Sequence, residues 1–414
     1  MSLDHDVLIV GAGPAGAHLA IRLARAGWEV GLVEARRFPR PKPCGEFLSP
    51  ACLPFLDVLG LLEETRAAGA IELGGMRLHG HGHVAEGTYR AVGRAEVPFG
   101  HGLALRREVL DAIALDAAVA EPRVTLHAPL RVGHILRSTS GAVIGLHARD
   151  ASGGECELRA RFTIGADGRQ SIVARELGLR SFGRAPARFA LVARYSGVDP
   201  GPTGELHLTR GGYFAAAPVD SGLFTLNLVV DRRELSSATE GARGHGSLET
   251  FLARRIEETS SLAPRLAHAE RSGPLHVAGP LETRVRRSTF DGGALVGDAA
   301  GFVDPMTGEG IFLAMHGAAH LAASLDTALR ASRTDARSLL SYERSRRRDI
   351  TPRHRAARLL QSGLGRPRVE RFLLSLLERH PALTDLVVGI TGDYASPLAL
   401  FSPRTWRQAL GRQG

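Results

Sequence analysis

Residues 7–16 read Val7-Leu8-Ile9-Val10-Gly11-Ala12-Gly13-Pro14-Ala15-Gly16. A short aliphatic run ending on glycines predicts a buried parallel strand. A helical pattern follows through Leu19, Ile21, Leu23 and Ala24 and stops near Gly27. Val30-Gly31-Leu32-Val33-Glu34 predicts the next strand, completing a βαβ unit. In this G-x-G-x-x-G, Gly11 permits the tight turn, Gly13 lets backbone approach a pyrophosphate, and Gly16 lets helix and strand pack closely. The helix opens at Pro14 and Ala15, where free N–H groups and the positive dipole end meet phosphate. Glu34 is placed to accept hydrogen bonds from an adenosine ribose, with Ala35 and Arg36 after it. A carboxylate there opposes a 2′-phosphate, so the pattern specifies FAD or NAD rather than NADP. The strand before, the helix after and the acid beyond weigh against a glycine-rich turn with no ligand.

Two more strand-to-glycine motifs follow. Phe162-Thr163-Ile164-Gly165-Ala166-Asp167-Gly168 is one, and Leu295-Val296-Gly297-Asp298-Ala299-Ala300-Gly301 is the other. After the second come Asp304, Pro305 and Gly308-Glu309-Gly310-Ile311, opening a long helix expected over about 309–331. A Pro- and Arg-rich loop at 36–55 carries Lys42-Pro43-Cys44-Gly45-Glu46. In this order and spacing the motifs resemble the FAD-dependent oxidoreductases of the para-hydroxybenzoate hydroxylase fold. The nearest likeness is to the geranylgeranyl reductase group, which has a Pro-Cys-Gly loop and a Gly-Asp-Ala-Ala-Gly…Thr-Gly-Glu-Gly-Ile run. The resemblance spans about residues 3–330.

It implies non-covalent FAD. Asp298, after Gly297, would bond the ribityl chain, and the Gly308–Gly310 backbone with Ile311 would face flavin N1 and O2. Arg107 would reach the FAD phosphates, and Cys44 and Gly45 would lie beside the cofactor. Asp167 and Gly168 match positions that contact FAD and passing NAD(P)H; for Asp167 an Asx turn at the strand end is an equal reading. A second G-x-G-x-x-G is missing from the sequence, so NAD(P)H is expected as a transient reductant without a domain of its own.

The fold expected is α/β (α+β). A Rossmann-like FAD-binding domain takes 1–70, 101–183 and 276–331. An inserted antiparallel β-sheet substrate domain takes 71–100 and 184–275. A helical C-terminal region, 332–414, carries Val369, Phe372, Leu373, Leu376 and Leu377 as an apolar stripe at helical i, i+3, i+4, i+7 spacing.

The formal charge is +9, and Lys42 is the only lysine among the 52 basic residues. Biased base composition of the gene is the plainest cause of so many arginines. With 5% aromatic residues the chain lacks base-stacking surfaces, which argues against nucleic acid. Cys44, Cys52 and Cys156 are too few for a disulfide framework and show no zinc spacing. His79, His81 and His83 alternate as on one strand face but lack a further ligand type, so no metal site is assigned. The N-terminus has no signal-peptide pattern and no apolar run approaches a membrane span, so a cytoplasmic location is expected. The run Arg344 to Arg358 reads as a solvated helix face, with contact to an anionic membrane surface the alternative. The sequence leaves the oligomeric state open.

Chemistry on the substrate side rests on Gly212-Tyr213-Phe214-Ala215-Ala216-Ala217-Pro218. Flavin halogenases of this fold carry Trp-x-Trp-x-x-Pro there, but here the only tryptophans are Trp28 and Trp406. Geranylgeranyl reductases carry Tyr-x-Trp-x-Phe-Pro; this chain keeps Tyr213 and Pro218 but has Ala215 and Ala217 in place of the rings. Either the alanines open the pocket to a bulkier substrate, or packing elsewhere fills the space. Tyr213, Lys42, Cys44 and Glu46 are the candidate catalytic residues, with no general base assigned. The preferred expectation is an NAD(P)H-dependent monooxygenase that hydroxylates or epoxidises a hydrophobic aromatic substrate of secondary metabolism. The alternative is an ene-reductase saturating prenyl double bonds; an FAD-binding scaffold without turnover is the third reading.

Overall fold

The computed structural model describes residues 3–92, 95–181, 187–239, 246–303, 305–363 and 365–403. Asp304, Trp406 and the expected boundary at 183/184 lie outside them.

The first strand, His5–Val10, pairs in parallel with Val30–Val33 on one side and Glu155–Gly165 on the other. Val124–His127 extends the sheet beyond Val30–Val33, and Gly293–Leu295 extends it beyond Glu155–Gly165. Val7, Leu8 and Ile9 are fully buried, as expected of a strand covered on both faces. The helix Pro14–Arg25 packs against the helix Gly310–Arg330, and Leu19, Leu23, Met315 and Leu321 share one core. Because the strands are parallel and neighbouring, all leave the sheet at the same edge. Three motifs separated by about 150 and about 130 residues thus meet: Gly11–Gly13, Asp167–Gly168 and Gly297–Asp298.

A second, seven-stranded sheet runs in the order Glu270–Ala278, Arg188–Ser196, Leu223–Asp231, Gly212–Val219, Gly204–Thr209, Gly75–Gly80, His83–Thr88. Side chains alternate across it. Phe214, Leu226 and Leu228 pack with Phe251 and Leu252 of the helix Gly246–Glu257, while Tyr213, Ala215 and Val229 turn to the opposite face. Ile71–Leu73 stands apart, paired with Gly102–Ala104 in a small sheet that also holds Phe47–Leu48.

The C-terminal helices cover the free edge of that second sheet. Val84 N–H donates to Glu378 and Thr88 N–H to Asp385, so carboxylates occupy donors that another strand would otherwise seek. This arrangement corrects the reading of the three histidines. His81 sits in the turn between Gly75–Gly80 and His83–Thr88, so the three do not line one face. His79 stacks on His207, His81 bonds Glu370 and His83 bonds Glu378.

The apolar stripe is not the buried face of its helix. In Pro367–Arg379 the buried positions are Glu370 and Leu374, while Val369, Phe372 and Leu373 are exposed. Nor is the arginine run one solvated face. Arg346 donates to the Ala300 carbonyl, Arg353 to Asp393 and Arg358 to Glu282, whereas Arg347 and Arg348 stay exposed. Among the described residues no helix is long and apolar enough to cross a membrane.

Candidate functional site

A cavity of about 1000 Å³ opens between the edge of the first sheet and the Tyr213 face of the second. Gly11, Gly13, Pro14, Ala15, Glu34, Ala35 and Arg36 line it, and the loop at Lys42, Cys44, Gly45 and Glu46 runs along one side. Arg107, Asp167, Gly168, Asp298, Gly308, Gly310, Ile311 and Tyr213 line it as well. Gly16, Gly297 and Glu309 stand behind this wall. A Cβ on Gly16 would run into the Gly11 carbonyl, so this glycine serves the close packing read from the sequence. Gly297 has φ +60°, and a Cβ there would come 3.0 Å from Ala15. Glu309 turns away towards Arg353 and Asp393.

The fingerprint end is built for phosphate. No side chain caps Pro14–Arg25 and no acid lies in its first turn, so its leading N–H groups face the cavity unopposed. Gly13 has nothing nearer its Cβ direction than Arg40 at 3.9 Å. Lys42 Nζ lies beside Gly168, where a Cβ would meet it at 3.3 Å. Lys42 and Arg169 make no salt bridge among the described residues, which leaves two cations for an anion. Burial lowers the Lys42 pKa, opposed by Asp298; burial raises that of Asp298, opposed by Lys42, Arg169 and Arg107. An anionic group between them suits the protonated lysine.

Glu34 Oε2 accepts from Ala12 N–H at 3.0 Å and Oε1 from Arg36 N–H at 3.0 Å, which holds the carboxylate at the strand end with lone pairs to spare. Asp167 does not form the Asx turn. One oxygen accepts from Ile172 and Val173 N–H, five and six residues on at the start of the helix Ile172–Glu176, while Oδ1 is buried without a partner among the described residues and the residue lines the cavity. Arg107 is gripped by Asp111, with Nε–Oδ1 at 2.9 Å and Nη2–Oδ2 at 3.0 Å, so its guanidinium is fixed before any ligand arrives. These donors, the uncapped helix and the open glycine fit an FAD pyrophosphate and its flanking riboses.

Of the candidate catalytic residues, Glu46 is fully committed. It is buried at φ +57° and held by Arg194, which also bonds Glu108. Cys44 Sγ accepts from Glu46 N–H at 3.4 Å. Tyr213 is buried on the sheet wall with the Arg188 guanidinium 5.3 Å from its ring centre. The two alanines separate: Ala215 lines the cavity, whereas Ala217 packs with Leu73, Ala104 and Val219 away from it. Only one of the missing rings therefore opens space for a ligand.

Several residues were missed by the sequence reading. Arg194 ties the second sheet to the Glu46 loop across 148 residues and leaves no local signal. Asn227, a poor strand former amid Leu226, Leu228 and Val229, does leave one. Among the described residues two groups could hold a metal ion, His79–Glu205–His207 and His316–His320–Asp349. Both lie away from the cavity lining, and in the first Glu205 is already held by His207 and Arg265.

Residues 4–354 match the family model described as FAD binding domain. A digeranylgeranylglycerophospholipid reductase of Methanothrix thermoacetophila is 30% identical over 83% of this chain and 83% of its own. A 6-methylpretetramide 4-monooxygenase of Streptomyces rimosus is 35% identical over 42% of this chain and 41% of its own. Among solved structures, the myxobacterial chondrochloren halogenase CndH is 26% identical, with a TM-score of 0.76 over 84% of this chain and 80% of that one. Three chemistries thus share this scaffold.

Proposed function

We propose that this chain, which belongs to the FAD binding domain family and is an FAD-dependent oxidoreductase, is an NAD(P)H-dependent monooxygenase acting on a hydrophobic aromatic substrate. The observation that carries this reading is the wall opposite the fingerprint. There Ala190, Val192, Ala215, Val229 and Ala278, side chains of small volume on neighbouring strands, form an apolar stretch of sheet in the same cavity as the phosphate end. Such a surface suits a flat ring system better than a narrow chain.

Bound in the cavity, FAD supplies two-electron redox chemistry and, with dioxygen, oxygen transfer. The chain's own residues bind and place. The N-terminus of Pro14–Arg25, Lys42 and Arg169 would hold the pyrophosphate, and Glu34 the adenosine ribose. Asp298 would hold the ribityl chain, and the start of Gly310–Arg330 would put its positive end against the flavin ring's polar edge. Apolar side chains over the substrate exclude water from the reacting atoms. NAD(P)H would visit transiently near Asp167 and Gly168.

The second reading, a prenyl ene-reductase nearest the geranylgeranyl reductase group, draws on the Methanothrix relative and on Cys44 at the cavity. The loss of a ring at Ala215 opposes it. Halogenation is disfavoured because Lys42, the only lysine, stands at the phosphate end rather than on the sheet wall.

The deciding experiment supplies the flavin-loaded protein with NADH or NADPH, ¹⁸O₂ and a panel of naphthols and larger phenols, followed by mass spectrometry. One ¹⁸O per product molecule is expected. No incorporation, together with anaerobic saturation of a geranylgeranyl lipid, would replace the monooxygenase by the reductase.

A further inference from the structure

Strand register lays out the substrate wall as two rows. His276, Val192, Asn227 and Ala215 sit directly opposite one another across four neighbouring strands, and Ala278, Ala190, Val229 and Tyr213 form the next row. All eight line the cavity. Within this mostly apolar patch Asn227 is the polar side chain at the centre. It is 5% exposed.

Its orientation is fixed by chemistry. Nδ2 donates to the Ala215 carbonyl oxygen at 3.3 Å. A carbonyl can only accept, so the amide nitrogen must face Ala215 and the oxygen must face elsewhere. Oδ1 has no partner among the described residues and is buried. A buried acceptor without a donor is costly, and a strand interior is an unfavourable place for asparagine. An apolar residue would complete the wall at no such cost. The cost is recovered if the ligand brings the donor.

We propose that Asn227 selects the substrate: its Oδ1 accepts a hydrogen bond from a hydroxyl on a flat, otherwise apolar ring system lying across these two rows. The ligand class is a hydroxylated aromatic, and a bare hydrocarbon chain would leave the oxygen unpaired. With neighbouring strands ~4.8 Å apart, His276 stands two strands, about 10 Å, from Asn227. That span matches a fused ring system with a second polar group at its far end. This deepens the monooxygenase reading and rests on it for where the ligand lies.

The test is calorimetric binding to the flavin-loaded protein without reductant, so that no turnover is needed. The probes are 2-naphthol and 2-phenanthrol, each against its 2-fluoro analogue, which keeps nearly the same size and removes the donor. The hydroxyl member of each pair is expected to bind about tenfold tighter or more. Asn227→Leu, of similar size, should bring the ratio near one without loss of flavin. Asn227→Asp should keep the preference, because a protonated carboxyl donates to Ala215 and still accepts from the ligand. If Asn227→Leu loses flavin, the wild-type and Asn227→Asp ratios decide.

Equal affinity within both pairs in the wild type, including no binding of either member, overturns the proposal. So does a preference that survives in flavin-loaded Asn227→Leu. Tight, hydroxyl-selective binding with no ¹⁸O in the product would instead leave Asn227 as the selector and remove the monooxygenase.

Discussion

Arg353 is the cation between two buried carboxyls, and its removal gives a stability change whose size and pH dependence both follow from the structure. Its Nη1 lies 2.8 Å from Asp393 Oδ1 and 3.7 Å from Glu309 Oε1, and Nη2 donates to the Asp393 carbonyl at 2.9 Å. Burial and then Glu309 push the Asp393 carboxyl well above the ordinary range, with Arg353 opposing; burial likewise raises Glu309. Arg353→Met keeps most of the bulk and removes the charge. Deleting one partner of a buried pair costs about 3–5 kcal/mol. At about 2.1 cal/mol/K of unfolding entropy per residue, a chain of 414 residues loses roughly 3–6 °C in Tm.

The sign with pH runs against the usual salt-bridge case. A carboxyl whose folded pKa is raised is harder to ionise in the fold than in the unfolded chain. Its penalty is absent below the unfolded range near pH ~4, grows as pH rises through it, and is complete above the folded pKa. Without Arg353 the folded values rise further, so the deficit of the variant is smallest below the wild-type folded values and widens as pH rises through them. Scanning calorimetry on flavin-loaded protein measures this, with Arg347→Met, at a side chain 76% exposed, as control. A Tm loss that shrinks as pH rises from the acid end, or one no larger than the control's, would refute the reasoning.

Gly16→Ala should abolish flavin retention and sharply lower soluble yield, because its Cβ meets the Gly11 carbonyl; a flavin-replete variant on gel filtration would contradict this. Lys42→Met should weaken FAD about 10- to 100-fold, the worth of a charge-assisted contact, as read by flavin fluorescence on dilution. Ala215→Phe should restore a ring over the cavity and reduce 2-naphthol binding at least about tenfold while leaving flavin content unchanged. Arg194→Met should cost about 3 kcal/mol, because it strands the buried Glu46 carboxylate; urea unfolding followed by flavin release measures it.

Much of the cofactor end was legible in the sequence, since its demands are local. A turn at φ +101°, a backbone that must approach phosphate and a helix that must touch a strand each require glycine at one position, and spacing records this. Glu34 and Asp298 follow from standing at strand ends. The sequence points to the Gly308–Gly310 backbone but is silent on the Glu309 side chain: Gly308 and Gly310 line the cavity while the side chain between them reaches Arg353, because adjacent helix-start residues point in different directions. The histidines failed as a group because alternation in sequence does not reveal a turn at His81 and Gly82.

By itself the sequence determined the βαβ start, the three glycine-rich loops that meet at the cavity and the cofactor class, because short-range backbone geometry leaves little choice of residue there. Only the tertiary structure decided what the substrate would meet. Strand periodicity says that Tyr213, Ala215 and Ala217 share a face, but not that Leu73 and Ala104 fill the space beside Ala217 while Ala215 stays open. It was likewise register between strands far apart in the chain that set Asn227 against Ala215, left its oxygen without a partner among the described residues and placed His276 in the same row. Backbone conformation is encoded near the residue that adopts it, whereas the emptiness or polarity of a cavity is a property of all the side chains that fail to fill it.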